Sequence, residues 1–77
     1  MKAFTIEEME NIFEIGRTFQ CAADEGAIEI KDSKEAFAFA LKLAIDFEKE
    51  HPDSDDYYYD IDDFCTEKIL KEFGEYN

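Results

Sequence analysis

Ala36-Phe-Ala-Phe-Ala-Leu-Lys-Leu-Ala-Ile-Asp-Phe47 is apolar nearly all round when wound at helical spacing, and only a narrow stripe through Glu35, Lys42, Asp46 and Lys49 is polar. A helix apolar on most sides is normally buried between neighbours. The stretch therefore predicts a central helix with other helices packed around it. Asp32 and Ser33 both stand where an N-cap belongs, and Asp32 with Glu35 makes a box-like pattern. Pro52 disfavours helical geometry at His51, so this helix should stop there.

Working outward, a first helix opens at Thr5, with Glu8 three positions on as the second half of a capping box. Phe4 and Met9 occupy the positions of a hydrophobic staple. At 100° per residue Met9, Ile12, Phe13, Ile15, Gly16, Phe19 and Ala23 fall on one broad face, opposite Glu7, Glu10, Glu14 and Arg17. The helix is expected to end near Asp24-Glu25-Gly26, with Gly26 in a left-handed cap. A third helix is expected from about Asp60 to Phe73, with Gly74 as its cap. Its inward stripe is Ile61, Cys65, Ile69, Phe73 and Tyr76, while Asp62, Asp63 and Glu67 point outward. Lys68 and Lys71 near its end and Asp62 and Asp63 near its start suit the helix dipole. Two short pieces have strand character, alternating Gly26–Lys31 and Tyr57-Tyr58-Tyr59. The expected fold is mainly α: one compact three-helix domain over 1–77, either bare or with a minor two-stranded β-ribbon from those pieces.

Composition bounds the function. Eight Phe, eight Ile and three Leu supply a quarter of the 77 residues, above the roughly 20% below which highly charged chains tend to stay disordered. A chain this short buries only about 60% of its unfolded surface, so the stability margin is thin. Twenty-one acids against eight bases leave a net charge of −13. Such a balance repels nucleic acid and acidic membranes and steers basic proteins inward. Cys21 and Cys65, 44 residues apart, match neither a disulfide framework nor a metal-ligand spacing. The opening Met1-Lys2-Ala3-Phe4-Thr5 leads into charged residues with no apolar leader core, and no run approaches the roughly 20 apolar residues of a membrane span. The expected compartment is the cytoplasm, with both thiols reduced.

The charge is concentrated. Residues 46–63 hold nine acids (Asp46, Glu48, Glu50, Asp53, Asp55, Asp56, Asp60, Asp62 and Asp63) against Lys49, a net of −8, with Tyr57, Tyr58 and Tyr59 among them. Aromatics set among acids make a surface that contacts basic, partly apolar protein while ordering few rotamers. Asp53-Ser54-Asp55-Asp56 begins like a calcium loop, but the glycine at loop position six is missing and Phe64 stands where the bidentate Glu belongs. No metal or cofactor is expected. Catalysis is not expected either. His51 is the sole histidine, and its pairing with Cys21 or Cys65 would be the only nucleophile–base combination. The three glycines are too scattered to cradle a phosphate.

Direct nucleic-acid binding lacks the Lys and Arg that would neutralise phosphates. The same physics inverted is more promising, because ordered carboxylates can occupy a basic nucleic-acid channel in place of the phosphate backbone. Glu7, Glu10 and Glu14 recur every three or four residues, about 4.5–6 Å along a helix axis. In size, charge, helical core and acid-plus-tyrosine surface the whole chain resembles the small counter-defence proteins of phages and mobile elements, including anti-CRISPR and other DNA-mimic inhibitors. The resemblance is compositional and carries no residue correspondence; acidic antitoxins and adaptors share the profile. It implies an inhibitor that blocks a basic, nucleic-acid-binding enzyme of host defence. The alternative is an acidic adaptor or antitoxin-like module whose contacts depend on Tyr and Phe more than on charge. The residues expected at the interface are Glu7, Glu10, Glu14, Asp53, Asp55, Asp56, Tyr57, Tyr58, Tyr59, Asp60, Asp62 and Asp63.

Overall fold

The computed structural model describes residues 3–74. Its elements are three helices, α1 (Ile6–Asp24), α2 (Ser33–Glu50) and α3 (Tyr57–Phe73), in a flattened body of 33 × 30 × 18 Å. Tyr76, assigned to the inward stripe of the third helix, lies outside the described residues.

Local chemistry sets the helix ends. Thr5 Oγ1 accepts from the Glu8 N–H at 3.0 Å and Glu8 Oε1 accepts from the Thr5 N–H at 3.0 Å, the complete capping box. At the other end of α1, Gly26 has φ 77°, its N–H donates to the Ala23 carbonyl, and the Ala27 N–H donates to that of Ala22. That pair of bonds is a Schellman closure, which needs the left-handed conformation glycine adopts without strain. Asp32 Oδ1 accepts from the Lys34 N–H at 2.9 Å and caps α2, which ends at His51 ahead of Pro52.

The start of α3 departs from the sequence expectation. It begins at Tyr57, so the tyrosine triplet is its first turn and not a strand. Tyr57 stands four residues before Ile61 and extends the Ile61–Cys65–Ile69 stripe one turn backward. Asp56 is the N-cap and Asp60 sits in the first turn, where negative charge suits the dipole. Packing and charge thus override the strand propensity of tyrosine. The two-stranded ribbon does not form from 26–31 and 57–59. Ile28 instead makes an isolated antiparallel bridge with Gly74, beside a 3.4 Å bond from the Glu29 N–H to the Phe73 carbonyl. Gly74 does cap α3, its N–H donating to the Leu70 carbonyl at 2.8 Å, in extended geometry. Its φ is −73°, and a Cβ there would stand 2.3 Å from the Leu70 carbonyl oxygen, so close approach is what requires glycine.

The core lies along the centre of α1. Ile15, Ala40, Leu43, Ala44, Ile61, Cys65 and Ile69 are buried together. Ala36, Ala40 and Ala44 form a small-residue row at i, i+4, i+8 that lets α2 sit close against α1. Aromatic clusters close both ends. Phe19, Phe39 and Phe73 meet with centroids 5.3–6.4 Å apart at one end. At the other, Phe47 contacts His51, Tyr57 and Phe64 at 5.0, 6.0 and 5.4 Å. Burying Phe47 to 1% exposure contributes on the order of 1.5–3 kcal/mol.

Two expectations about facing need correction. The buried line of α1 runs through Asn11, Ile15 and Phe19, so Met9 and Phe13, assigned inward, are 51% and 73% exposed, and Gly16 is exposed too. The periodic face was centred too far round the helix because it left out Asn11, which marks the inward side. Nor is α2 enclosed on most sides: Phe37 and Ala38 face outward, because two neighbouring helices cover only one side of it.

Candidate partner-binding face

Asn11 organises the site from below. It is 1% exposed; its Nδ2 donates to the Ala44 carbonyl at 3.2 Å and to Glu48 Oε2 at 3.1 Å, and its Oδ1 accepts from the Tyr57 hydroxyl at 2.7 Å. One side chain on α1 thereby holds α2 and the first turn of α3. A second tie runs from Thr18 Oγ1 to Asp62 Oδ1 at 3.3 Å. These bonds set Glu7, Glu10 and Glu14 of α1 on one face with Glu48 of α2 and Asp62 of α3.

On that face Tyr58, 67% exposed, stands where three adjoining grooves meet. The largest, about 790 Å³, runs between α1 and α3 past Glu14, Arg17, Cys21, Tyr59, Asp62 and Leu70. A second, about 290 Å³, is floored by Ile6, Met9 and Phe13 with Glu10, Glu14 and Tyr57 beside them. The third, about 370 Å³, carries Glu7, Glu10, Glu48, His51 and Ser54. Arg17 is the one Lys or Arg bordering these grooves, and Glu14 holds its guanidinium at 3.2 Å. The field is felt inside: burial first, and then Glu10 and Glu14 with smaller contributions from Tyr58 and Glu48, push the Tyr57 hydroxyl up to about 12.

Of the expected interface residues, the structure gathers Glu7, Glu10, Glu14, Tyr57, Tyr58, Tyr59 and Asp62 around these grooves. Tyr57 is a half-buried strut more than a contact residue. Asp60 is half-buried and accepts from the Ser54 hydroxyl, which ties the loop to α3. Asp53, Asp55, Asp56 and Asp63 are exposed but border none of the three grooves. Sequence reading missed Ile6, Met9 and Phe13 as surface residues. Its available signal was Asn11, which falls in line with Ile15 and Phe19 at i, i+4, i+8.

His51 stacks on Phe47 and meets Phe64 edge-on. Cys65 is fully buried, and burial pushes its thiol up to about 12, with Lys68 lowering and Asp62 raising it. That is the reverse of the low pKa an activated thiol needs. Cys21 is an exposed free thiol on the α1/α3 groove. Among the described residues no group of three or more His, Cys, Asp or Glu is placed to hold a metal ion, and no helix is long and apolar enough to cross a membrane.

Comparison with protein-family models, with curated proteins and with solved structures gives no match.

Proposed function

We propose that the chain is a non-enzymatic inhibitor that presents the α1/α3 face to a basic, nucleic-acid-binding protein in the cytoplasm and competes with nucleic acid for it. The observation that carries this reading is the convergence around Tyr58. Glu7, Glu10 and Glu14 from one helix and Tyr58, Tyr59 and Asp62 from another share a face whose one bordering Lys or Arg is already paired. Acids there accelerate the approach of a basic surface, and the exposed rings supply short-range packing. No cofactor, membrane or direct nucleic-acid contact is part of the proposal.

A second reading has its own support. The apolar strip of Ile6 (70% exposed), Met9 and Phe13 suits an adaptor whose affinity depends on packing more than on charge. The two readings differ in a binding-kinetics series on a partner captured from host lysate, run at two salt concentrations with nucleic acid as competitor. For the inhibitor, Glu7→Gln with Glu10→Gln slows association about tenfold at low salt with little change at high salt, whereas Tyr58→Ala mainly speeds dissociation. Nucleic acid displaces the partner. If the double Gln variant associates as fast as wild type, the acids are only a solvated surface. If the double Gln variant binds much as wild type does, Tyr58→Ala loses affinity and nucleic acid never competes, the adaptor reading holds and mimicry is discarded.

A further inference from the structure

The exposed apolar residues of α1 are not scattered. Ile6, Met9 and Phe13 stand at i, i+3 and i+7, one line on the side of the helix opposite the buried Asn11, Ile15 and Phe19. Each is more than half exposed. At 1.5 Å per residue the line is about 10 Å long, two helical turns. Arg17, one turn beyond Phe13, ends it and is itself held by Glu14. Across a groove of about 290 Å³ stands the Tyr58 ring on the first turn of α3.

Charge and backbone chemistry decide what can lie there. Glu10 borders the same groove, and Glu7 continues its row toward the amino end. A second copy of the chain, at −13, meets like charge on that flank, whereas a basic segment meets opposite charge. From Met9 onward the backbone along this line is taken up in the helix's own ladder, so it cannot complete the backbone of an extended peptide. A helix arrives with its backbone already paired. Apolar side chains at i, i+3 or i+4, and i+7 of that helix span the same two turns and interleave with Ile6, Met9 and Phe13.

We propose that this groove takes a basic amphipathic helix of the partner. Its apolar line lies against Ile6, Met9 and Phe13 with Tyr58 as the far wall, and Lys or Arg on one flank faces Glu7 and Glu10. The docking rests on the reading of the α1/α3 face as the partner surface and adds the form of the segment recognised. It does not depend on whether nucleic acid competes.

Synthetic peptides of about 15 residues, stapled so that each is helical when free, test the docking against the full chain. One carries Leu at i, i+4 and i+7 with lysines along one flank. In a second the same residues are shuffled so that no face is apolar, and a third has Glu in place of Lys. Titrations followed by amide chemical shifts of the labelled chain, at low and high salt, give both affinity and location. The first peptide is expected to bind and to shift Ile6, Met9, Phe13 and Tyr58. The shuffled and acidic peptides are expected to bind at least about tenfold more weakly. Phe13→Ser is expected to weaken the first peptide about tenfold at both salt concentrations. Glu7→Gln with Glu10→Gln is expected to weaken it about fivefold, at low salt only. All three positions are exposed, so melting temperatures are expected to stay near wild type, and Ile6→Ser repeats the apolar test should Phe13→Ser disturb the fold. Equal binding of the shuffled peptide, shifts confined to another face, or no binding of the first peptide overturns the proposal. So does a chain that pairs with itself through this line, seen as a mass that falls to 9.0 kDa in Phe13→Ser. A partner that nucleic acid displaces but Phe13→Ser leaves bound sinks the helix docking and keeps the inhibitor reading. A peptide that docks in register while nucleic acid never competes for the partner does the reverse.

Discussion

Asn11 is buried with every polar atom partnered, and its partners lie on both other helices. Networks of this kind rigidify a core when complete and are costly when broken. Asn11→Ala is expected to destabilise the chain by about 1–3 kcal/mol and Tyr57→Phe by about 1 kcal/mol. The double variant should lose less than the sum, since the 2.7 Å bond between them is removed by either change. Urea unfolding of the four chains measures the coupling, and strict additivity would mean that the bond contributes nothing. Cys65 and Tyr57 add a pH dependence whose sign is determined. Both groups are pushed up to about 12 when folded, so the native chain holds protons that the unfolded chain releases at lower pH. Their stabilisation is complete below the ordinary thiol and phenol values and is lost as pH rises from about 9 toward 12. Unfolding midpoints at about pH 8 and about pH 11 should therefore fall steeply, and less steeply for Cys65→Ala. An equal fall in that variant would remove Cys65 from the account.

Each element shows where local rules suffice and where neighbours intervene. α1 begins on the Thr5–Glu8 box and ends on Gly26, as residue types alone require. The glycine within α1 and the one just beyond its end are not equivalent. Gly26 sits at φ 77°, while Gly16 lies inside the helix with nothing within 4 Å of where a Cβ would go. Gly26→Ala should cost about 1 kcal/mol and Gly16→Ala should gain about 0.5–1 kcal/mol. In a domain of this size each kcal/mol moves the melting temperature by about 4–8 °C. Thermal unfolding followed by circular dichroism should thus shift the two variants in opposite directions, and a common direction would contradict the assigned caps. α3 is the contrasting element. Nothing in Tyr57-Tyr58-Tyr59 alone favours a helix, but Tyr57 reaches both the Asn11 carboxamide and the Phe47 ring only from a helical first turn continuous with Ile61.

For the whole molecule the dominant quantity is the charge of −13. A body with a Cα radius of gyration of 12.2 Å holds these charges within little more than the Debye length of about 10 Å at 0.1 M salt. Self-repulsion therefore opposes folding and is relieved by screening. The melting temperature should rise as sodium chloride increases from about 10 mM to about 500 mM. A falling melting temperature would mean that attractive ion pairs outweigh the net repulsion. In the proposed function, the same charge steers basic protein to the α1/α3 face.

Three helices, the bounds of α2, both ends of α1 and the Ile61–Cys65–Ile69 stripe were legible in residue order, because caps, proline and periodicity act within a few residues of one another. The acidity and its concentration in 46–63 were legible for the same reason. The rest depended on contacts across 33 to 46 positions of chain. Asn11 meets Ala44, Glu48 and Tyr57 only after the helices have packed, and that meeting turns Met9 and Phe13 outward and draws the tyrosine triplet into α3. It also sets Glu7, Glu10 and Glu14 beside Tyr58 and Asp62, while Asp53, Asp55, Asp56 and Asp63 remain outside the grooves. Periodicity finds which residues share a side of one helix. Which side is buried is decided by the partners that satisfy its polar groups, and those are chosen in three dimensions.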